Sequence, residues 1–155
     1  KDVCSFDPDP SLLVGPDEDF AEIIQRFAGL PEMRGIFVVD DEQCLLGVIT
    51  RADLLDWTRV KIGSPEEILF TSTPKVEEMI RLVSLMHAST VGQFMHPNSH
   101  LSAVKCDDTL AYSLQVMIET DLIVLPVVDE SGRVVEDLKL SELLALAIKE
   151  DGNRG

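Results

Sequence analysis

Thr50 and Asp53 stand three residues apart, where the apolar run Leu45 to Ile49 gives way to a helical pattern. A helix N-terminus carries backbone N–H groups with no partner inside the helix, so it attracts an anion. A carboxylate one turn further in can accept hydrogen bonds from two hydroxyl groups. The same two residues also make a near capping box, with Asp in place of the preferred Glu, and capping by itself accounts for both. Two readings of the pair stay open at this point: binding of an anionic, hydroxyl-bearing ligand, or a helix cap and nothing more.

The other reactive side chains point to no reaction. His96 and His100 have the spacing of metal ligands on a helix, but Pro97 and Asn98 between them break the helix which that spacing needs. The acidic clusters Asp7, Asp9 and Asp17 to Glu22 can attract Mg2+ or Ca2+ through oxygen, although most such runs cap helices and solvate loops. No metal site is expected. There is no Gly-rich phosphate loop, G-x-S-x-G elbow or H-E-x-x-H, and no Cys or Ser sits beside an activating base. The expectation is a chain that is not an enzyme. Cys4, Cys44 and Cys106 are scattered, which argues against a zinc site or a disulfide scaffold and for a reducing compartment, the cytoplasm.

The elements that would position Thr50 and Asp53 occur twice. Phe37-Val38-Val39-Asp40-Asp41-Glu42 aligns with Pro126-Val127-Val128-Asp129-Glu130-Ser131, Leu45-Leu46 with Val134-Val135, and Ala52 to Leu55 with Ser141 to Leu144, all 89 residues apart. Upstream, Asp19-Phe20-Ala21 matches Thr109-Leu110-Ala111 at an offset of 90, so the first copy carries one extra loop residue. Each copy reads as a capped helix, an apolar hairpin with an acidic turn, and a closing helix. The first helix presents Phe20, Ile23, Ile24 and Phe27 and stops at Gly29 with Pro31 beyond; its counterpart presents Leu110, Leu114 and Met117. The hairpin strands are expected at Ile36 to Val39 with Leu45 to Ile49, and at Val124 to Val128 with Arg133 to Leu138. The closing helices are expected at Ala52 to Trp57 and Ser141 to Lys149. With opening extended segments near Val3 and Ala103-Val104, the unit is β-α-β-β-α. Residues 58–90 read as helical, with a capping box at Ser64-Pro65-Glu66-Glu67 and a second cap at Thr73-Pro74. A stripe of Val76, Met79, Ile80, Val83 and Met86 should pack on the pair, or else form a dimer interface.

Composition bounds the partners. The 155 residues are 45% apolar, enough for a core, and carry a net charge of −15. Such a chain is repelled by nucleic acid and by anionic membrane surfaces. No apolar run approaches the roughly 18 residues of a membrane span. The chain opens on Lys1 rather than Met, as expected of a piece of a longer protein.

Leu46-Gly47-Val48-Ile49-Thr50-Arg51-Ala52-Asp53-Leu54-Leu55 resembles the G-x-x-T-x-x-D signature of cystathionine-β-synthase (CBS) domains. Leu125-Pro126-Val127-Val128-Asp129 resembles the strand-and-turn signature of the same family, and Val91-Gly92-Gln93-Phe94-Met95-His96-Pro97 is similar to the segment that opens a CBS repeat. The resemblance implies an α/β fold of two repeats, residues 1–57 and 91–149, related by a pseudo-twofold axis, with a helical connector over 58–90 and a tail over 150–155. It implies clefts between the repeats that hold an adenine nucleotide (AMP, ADP or ATP) or S-adenosylmethionine, and a regulatory module acting on an enzyme or transporter. Thr50 and Asp53 would then touch phosphate and ribose, with Gly47 and Arg51 beside them and Phe37 near the base. In the second copy Gly47 becomes Glu136, Thr50 becomes Lys139 and Asp53 becomes Glu142. A side chain then stands where backbone would approach a ligand, so Lys139, Glu142, Pro126 and His96 are expected to form a weaker second cleft. A homodimer is expected, because helices such as Leu143 to Ile148 are too apolar for one small unit to cover. The competing functions are a ligand-free dimerisation or interaction scaffold and a Mg2+ sensor.

Overall fold

The computed structural model describes residues 11–29, 35–63, 75–96 and 99–152. Two three-stranded sheets carry the repeat. The first is β1 (Leu12–Val14), β2 (Ile36–Val39) and β3 (Leu45–Ile49); the second is β4 (Val104–Lys105), β5 (Val124–Val128) and β6 (Val134–Lys139). In each sheet the first two strands are parallel and the last two antiparallel. Parallel neighbours need a crossover, supplied by α1 (Phe20–Gly29) in the first repeat and by α5 (Leu110–Thr120) in the second. The closing helices are α2 (Arg51–Ile62) and α6 (Leu140–Gly152), and between the repeats lie α3 (Val76–His87) and the short α4 (Val91–Phe94).

The duplication extends to single hydrogen bonds. Asp40 Oδ1 accepts from the backbone N–H of Glu42 and Cys44; 89 residues on, Asp129 Oδ1 accepts from Ser131 and Arg133. Each hairpin carries a bulge at the same place, between Val38 and Val39 and between Val127 and Val128. Gly132 takes a φ of 83°, which glycine adopts at no steric cost, and Gln43 is forced to 65° at the equivalent position. The two hairpins then meet each other. Leu45 N donates to Gly132 O at 2.9 Å and Val134 N to Gln43 O at 3.1 Å, flanking a bridge between Cys44 and Arg133. Cys44 and Arg133 are equivalent positions, and the repeat exchanges the two hydrogen bonds, Leu45 corresponding to Val134 and Gly132 to Gln43, so the pseudo-twofold axis passes between Cys44 and Arg133.

Several expectations shift. The strand that opens the first repeat is Leu12–Val14; Val3 lies outside the described residues, as do Ser64 to Glu67, Thr73 and Pro74. Val14 pairs with Val38 as Val104 pairs with Val127, which confirms the offset of 90 upstream. On α5 the buried side chains are Ser113, Val116 and Met117, while Leu114 is exposed. The stripe expected to seat α3 is also exposed along its whole length; the helix is held instead by Leu82 and Leu85. Both helices are apolar on more than one side, and periodicity does not choose among stripes. Cys44 is a free thiol but Cys106 is disulfide-bonded, which withdraws the cysteine pattern as a reason to expect a reducing compartment.

Each repeat has its own core, and the two share a third. Phe20 stacks on Phe94 at 3.7 Å and meets the edge of Trp57, within a cluster that also takes Ile23, Ile36, Val38, Leu85 and Val91. Val91 and Phe94 open the second repeat in sequence, yet their side chains fill the core of the first. The second core gathers Val104, Val116, Met117, Leu125, Val127 and Leu138. Between the sheets Phe37, Val48 and Val124 are packed with Leu45 and Val134 against them. Phe37 is wholly buried there, so Phe37→Ala should destabilise the chain by about 3–5 kcal/mol in urea unfolding.

Candidate functional site between the repeats

Where β3 runs into α2, Thr50 takes an extended conformation and caps the helix. Its Oγ1 accepts from Asp53 N at 3.1 Å, and Asp53 Oδ2 accepts from Thr50 N and from Thr50 Oγ1, both at 2.7 Å. The box is complete, so the capping role is met in full. Asp53 is nevertheless an unusual cap, because it is buried. Its second oxygen, Oδ1, pairs with the Arg81 guanidinium of α3 and lies 3.6 Å from His96 Nδ1. Burying a carboxylate is costly without such a partner, and Arg81 supplies the compensating charge.

Gly47 lies opposite Val38 in the ladder. A Cβ there would stand 2.6 Å from Ser99 Oγ and inside the Met95 side chain. The close approach that glycine permits is made by this chain itself: a 3-10 turn, Ser99–Ser102, runs beside β3, and Ser99 Oγ accepts from Val48 N at 2.9 Å. Phe37, expected near a base, is in the inter-sheet core. His96, grouped with the second corner on sequence, lies instead beside Asp53.

Arg51 faces another way. Its guanidinium meets Asp121 of the second repeat at 2.9 Å, both side chains being largely exposed. The pair stands over a cleft of about 250 Å³ between the repeats, lined by Phe27, Gly35, Ile36, Val48, Ile49, Arg51 and Leu54 and by Asp121 to Val124. Its walls are mainly apolar and its mouth is charged. Ile49, Arg51 and Leu54 interleave with Thr50 and Asp53, so cleft and capping box share one stretch of chain.

The second corner has the same backbone and different chemistry. Glu142 Oε2 accepts from Lys139 N at 2.7 Å, as Asp53 does from Thr50. Lys139 and Asp137 are buried together as an ion pair at 3.4 Å, and Ser11 Oγ donates to Asp137 Oδ2. Asp137 Oδ1 takes no hydrogen bond. Pro126 is buried in β5 opposite Asp137. Among the described residues no three His, Cys, Asp or Glu side chains group as metal ligands. Asp19 caps α1 and Glu18 accepts from Gly15 N at 2.5 Å, while Asp7 and Asp9 lie outside the described residues. No helix among the described residues is long and apolar enough to cross a membrane.

The sequence profile of the CBS domain matches residues 2–59 and 91–148. A search of curated proteins gives no match. Among solved structures, a CBS domain-containing protein of Thermotoga maritima is similar at 25% identity and a TM-score of 0.68, covering 95% of this chain and 92% of that one. CBSX2, a CBS-pair protein known from Arabidopsis thaliana, is similar in its complex with AMP at 20% identity and a TM-score of 0.69, covering 92% and 91%. The CBS domain pair of protein MJ0100, in complex with 5′-methylthioadenosine and S-adenosyl-L-methionine, is similar at 16% identity and a TM-score of 0.66, covering 97% and 98%.

Burial raises the Glu136 carboxyl above its ordinary value of 4.5, and the Glu142 and Asp137 carboxylates raise it further. The folded state thus holds this proton more tightly than the unfolded chain. Below 4.5 the group is protonated in both states and contributes nothing; as pH rises through the folded pKa it destabilises the fold. Glu136→Gln should therefore raise the melting temperature at neutral pH, with the gain fading in melts run well below 4.5.

Proposed function

The chain belongs to the CBS domain family, with two repeats in one molecule, and from this we propose that it is a non-catalytic regulatory module that binds an adenine nucleotide in the cleft between them. The observation that carries this reading is the cleft itself: apolar walls sized for a base, a charged mouth, and the N-terminus of α2 at its side. Adenine fills the apolar part. Thr50 and Asp53 hold phosphate and ribose, and Arg51 turns from Asp121 to the phosphate. Related folds with AMP, or with 5′-methylthioadenosine and S-adenosylmethionine, support the class of ligand. The module acts on a partner enzyme or transporter, or on further domains of its own chain.

Arg51 separates the two ligand types. An exposed ion pair is worth only about 0.2–1 kcal/mol, so Arg51→Ala should hardly move the melting temperature. A charge-assisted hydrogen bond to phosphate is worth about 1.5–3 kcal/mol, so AMP affinity should fall about ten- to a hundredfold by calorimetric titration. S-adenosylmethionine has no phosphate, and a tight complex indifferent to Arg51→Ala would favour it instead.

The module works as a homodimer. Thr109, Leu110, Ala111 and Leu114 of the second repeat face Leu143, Leu146 and Ala147 across a groove of about 480 Å³, and Leu144 and Ile148 are exposed on α6. A second copy laid on this face covers apolar surface that one unit leaves in water. Leu114→Asp should give a folded monomer by light scattering where the unaltered chain gives a dimer. A monomer in both cases refutes the assembly.

A further inference from the structure

Three hydrogen bonds already converge on the Asp53 carboxylate. One oxygen is taken by Thr50 N and Thr50 Oγ1, the other by Arg81, with His96 Nδ1 at 3.6 Å. A carboxylate has about four acceptor sites, so the one left is too few for the two ribose hydroxyls that the nucleotide reading assigns to Asp53, and the side chain is only 1% exposed. The cleft, at about 250 Å³, is also below the ~300–1,000 Å³ of small-molecule sites, so it takes a base but not a whole nucleotide. As described, the first corner is shut.

The group that shuts it comes from outside both repeats. Arg81 lies on α3, donates to Phe94 O at 3.3 Å as well as to Asp53, and sits 3.9 Å from Asp56. Its side chain keeps 23% of its surface exposed, against 1% for Asp53, so it is reachable where its partner is not. The helix that bears it is thinly held, with only Leu82 and Leu85 buried and Val76, Met79, Ile80, Val83 and Met86 all turned to solvent.

We propose that Arg81 is a latch: its pairing with Asp53 holds α3 down on the first repeat and keeps the ribose acceptor closed, and a nucleotide opens the corner when its ribose hydroxyls displace the guanidinium from the carboxylate. This rests on the nucleotide reading above and gives it a signal. Ligand occupancy becomes movement of the connector helix, whose apolar outer face then changes its presentation to a partner. The device is autoinhibitory, because ligand and latch compete for one carboxylate. A ligand that binds only the open form loses apparent affinity in proportion to the closed fraction.

The test titrates AMP into the unaltered chain and into Arg81→Gln, and follows amide exchange over residues 76–87 with and without AMP. If the corner is open about a tenth of the time, Arg81→Gln should bind AMP about tenfold more tightly. In the unaltered chain AMP should speed exchange in 76–87, the opposite of the protection that ligand binding ordinarily gives. This second measurement needs no variant, so it stands even if Arg81→Gln fails to fold. Equal affinities, or slower exchange in 76–87 on AMP binding, overturn the latch and leave the nucleotide reading intact. No binding of AMP to either protein overturns both.

Discussion

Phe37, Val48 and Val124 come from two different sheets, and their contact sets the terms for everything around it. A three-stranded sheet with helices on one face leaves the other face apolar, and neither repeat carries a layer to cover it. Each sheet is therefore the cover of the other. Once the faces meet, the hairpins are brought edge to edge, and the Leu45–Gly132 and Val134–Gln43 bonds fix the axis. The cleft follows from the same contact, because two twisted sheets pressed together at their centre part toward their ends.

The corners that flank this contact are alike in backbone and unlike in charge. Thr50 and Asp53 give the first a complete capping box, while the second has only its return half, Glu142 accepting from Lys139 N, because a lysine side chain has no acceptor. The first corner buries one carboxylate against an arginine from the connector. The second buries a lysine and an aspartate from its own strand, with Glu136 pressed above its ordinary pKa beside them. An anion approaching the second corner meets Glu136 and Glu142 along with Lys139. At the first, Asp53 is already paired with Arg81 and Asp121 with Arg51.

The connector is the least repetitive part of the chain and the most consequential for the site. Leu85 of the connector is a structural member of the first repeat's core, with Val91 and Phe94 just beyond it, and Ser99 farther on covers the edge of β3. Arg81 is carried by the connector itself. A side chain acting on Asp53 from 28 positions away leaves no local signature, since its reach is set by how α3 lies against α2.

The duplication, the hairpins with their acidic turns, the capping box at Thr50 and the crossover helices were all written in the sequence. These are short-range features, fixed by propensity, turn chemistry and periods of two or 3.6 residues. Which of two apolar stripes on α3 is buried was decided only by tertiary packing, as were the exposure of Leu114, the loss of Phe37 to the inter-sheet core and the seating of Met95 and Ser99 over Gly47. The pairing of Arg81 with Asp53 belongs with them. A glycine states that something comes close and a buried aspartate that something must neutralise it. What fills those places is a matter of distance in space, and spacing along the chain does not encode that.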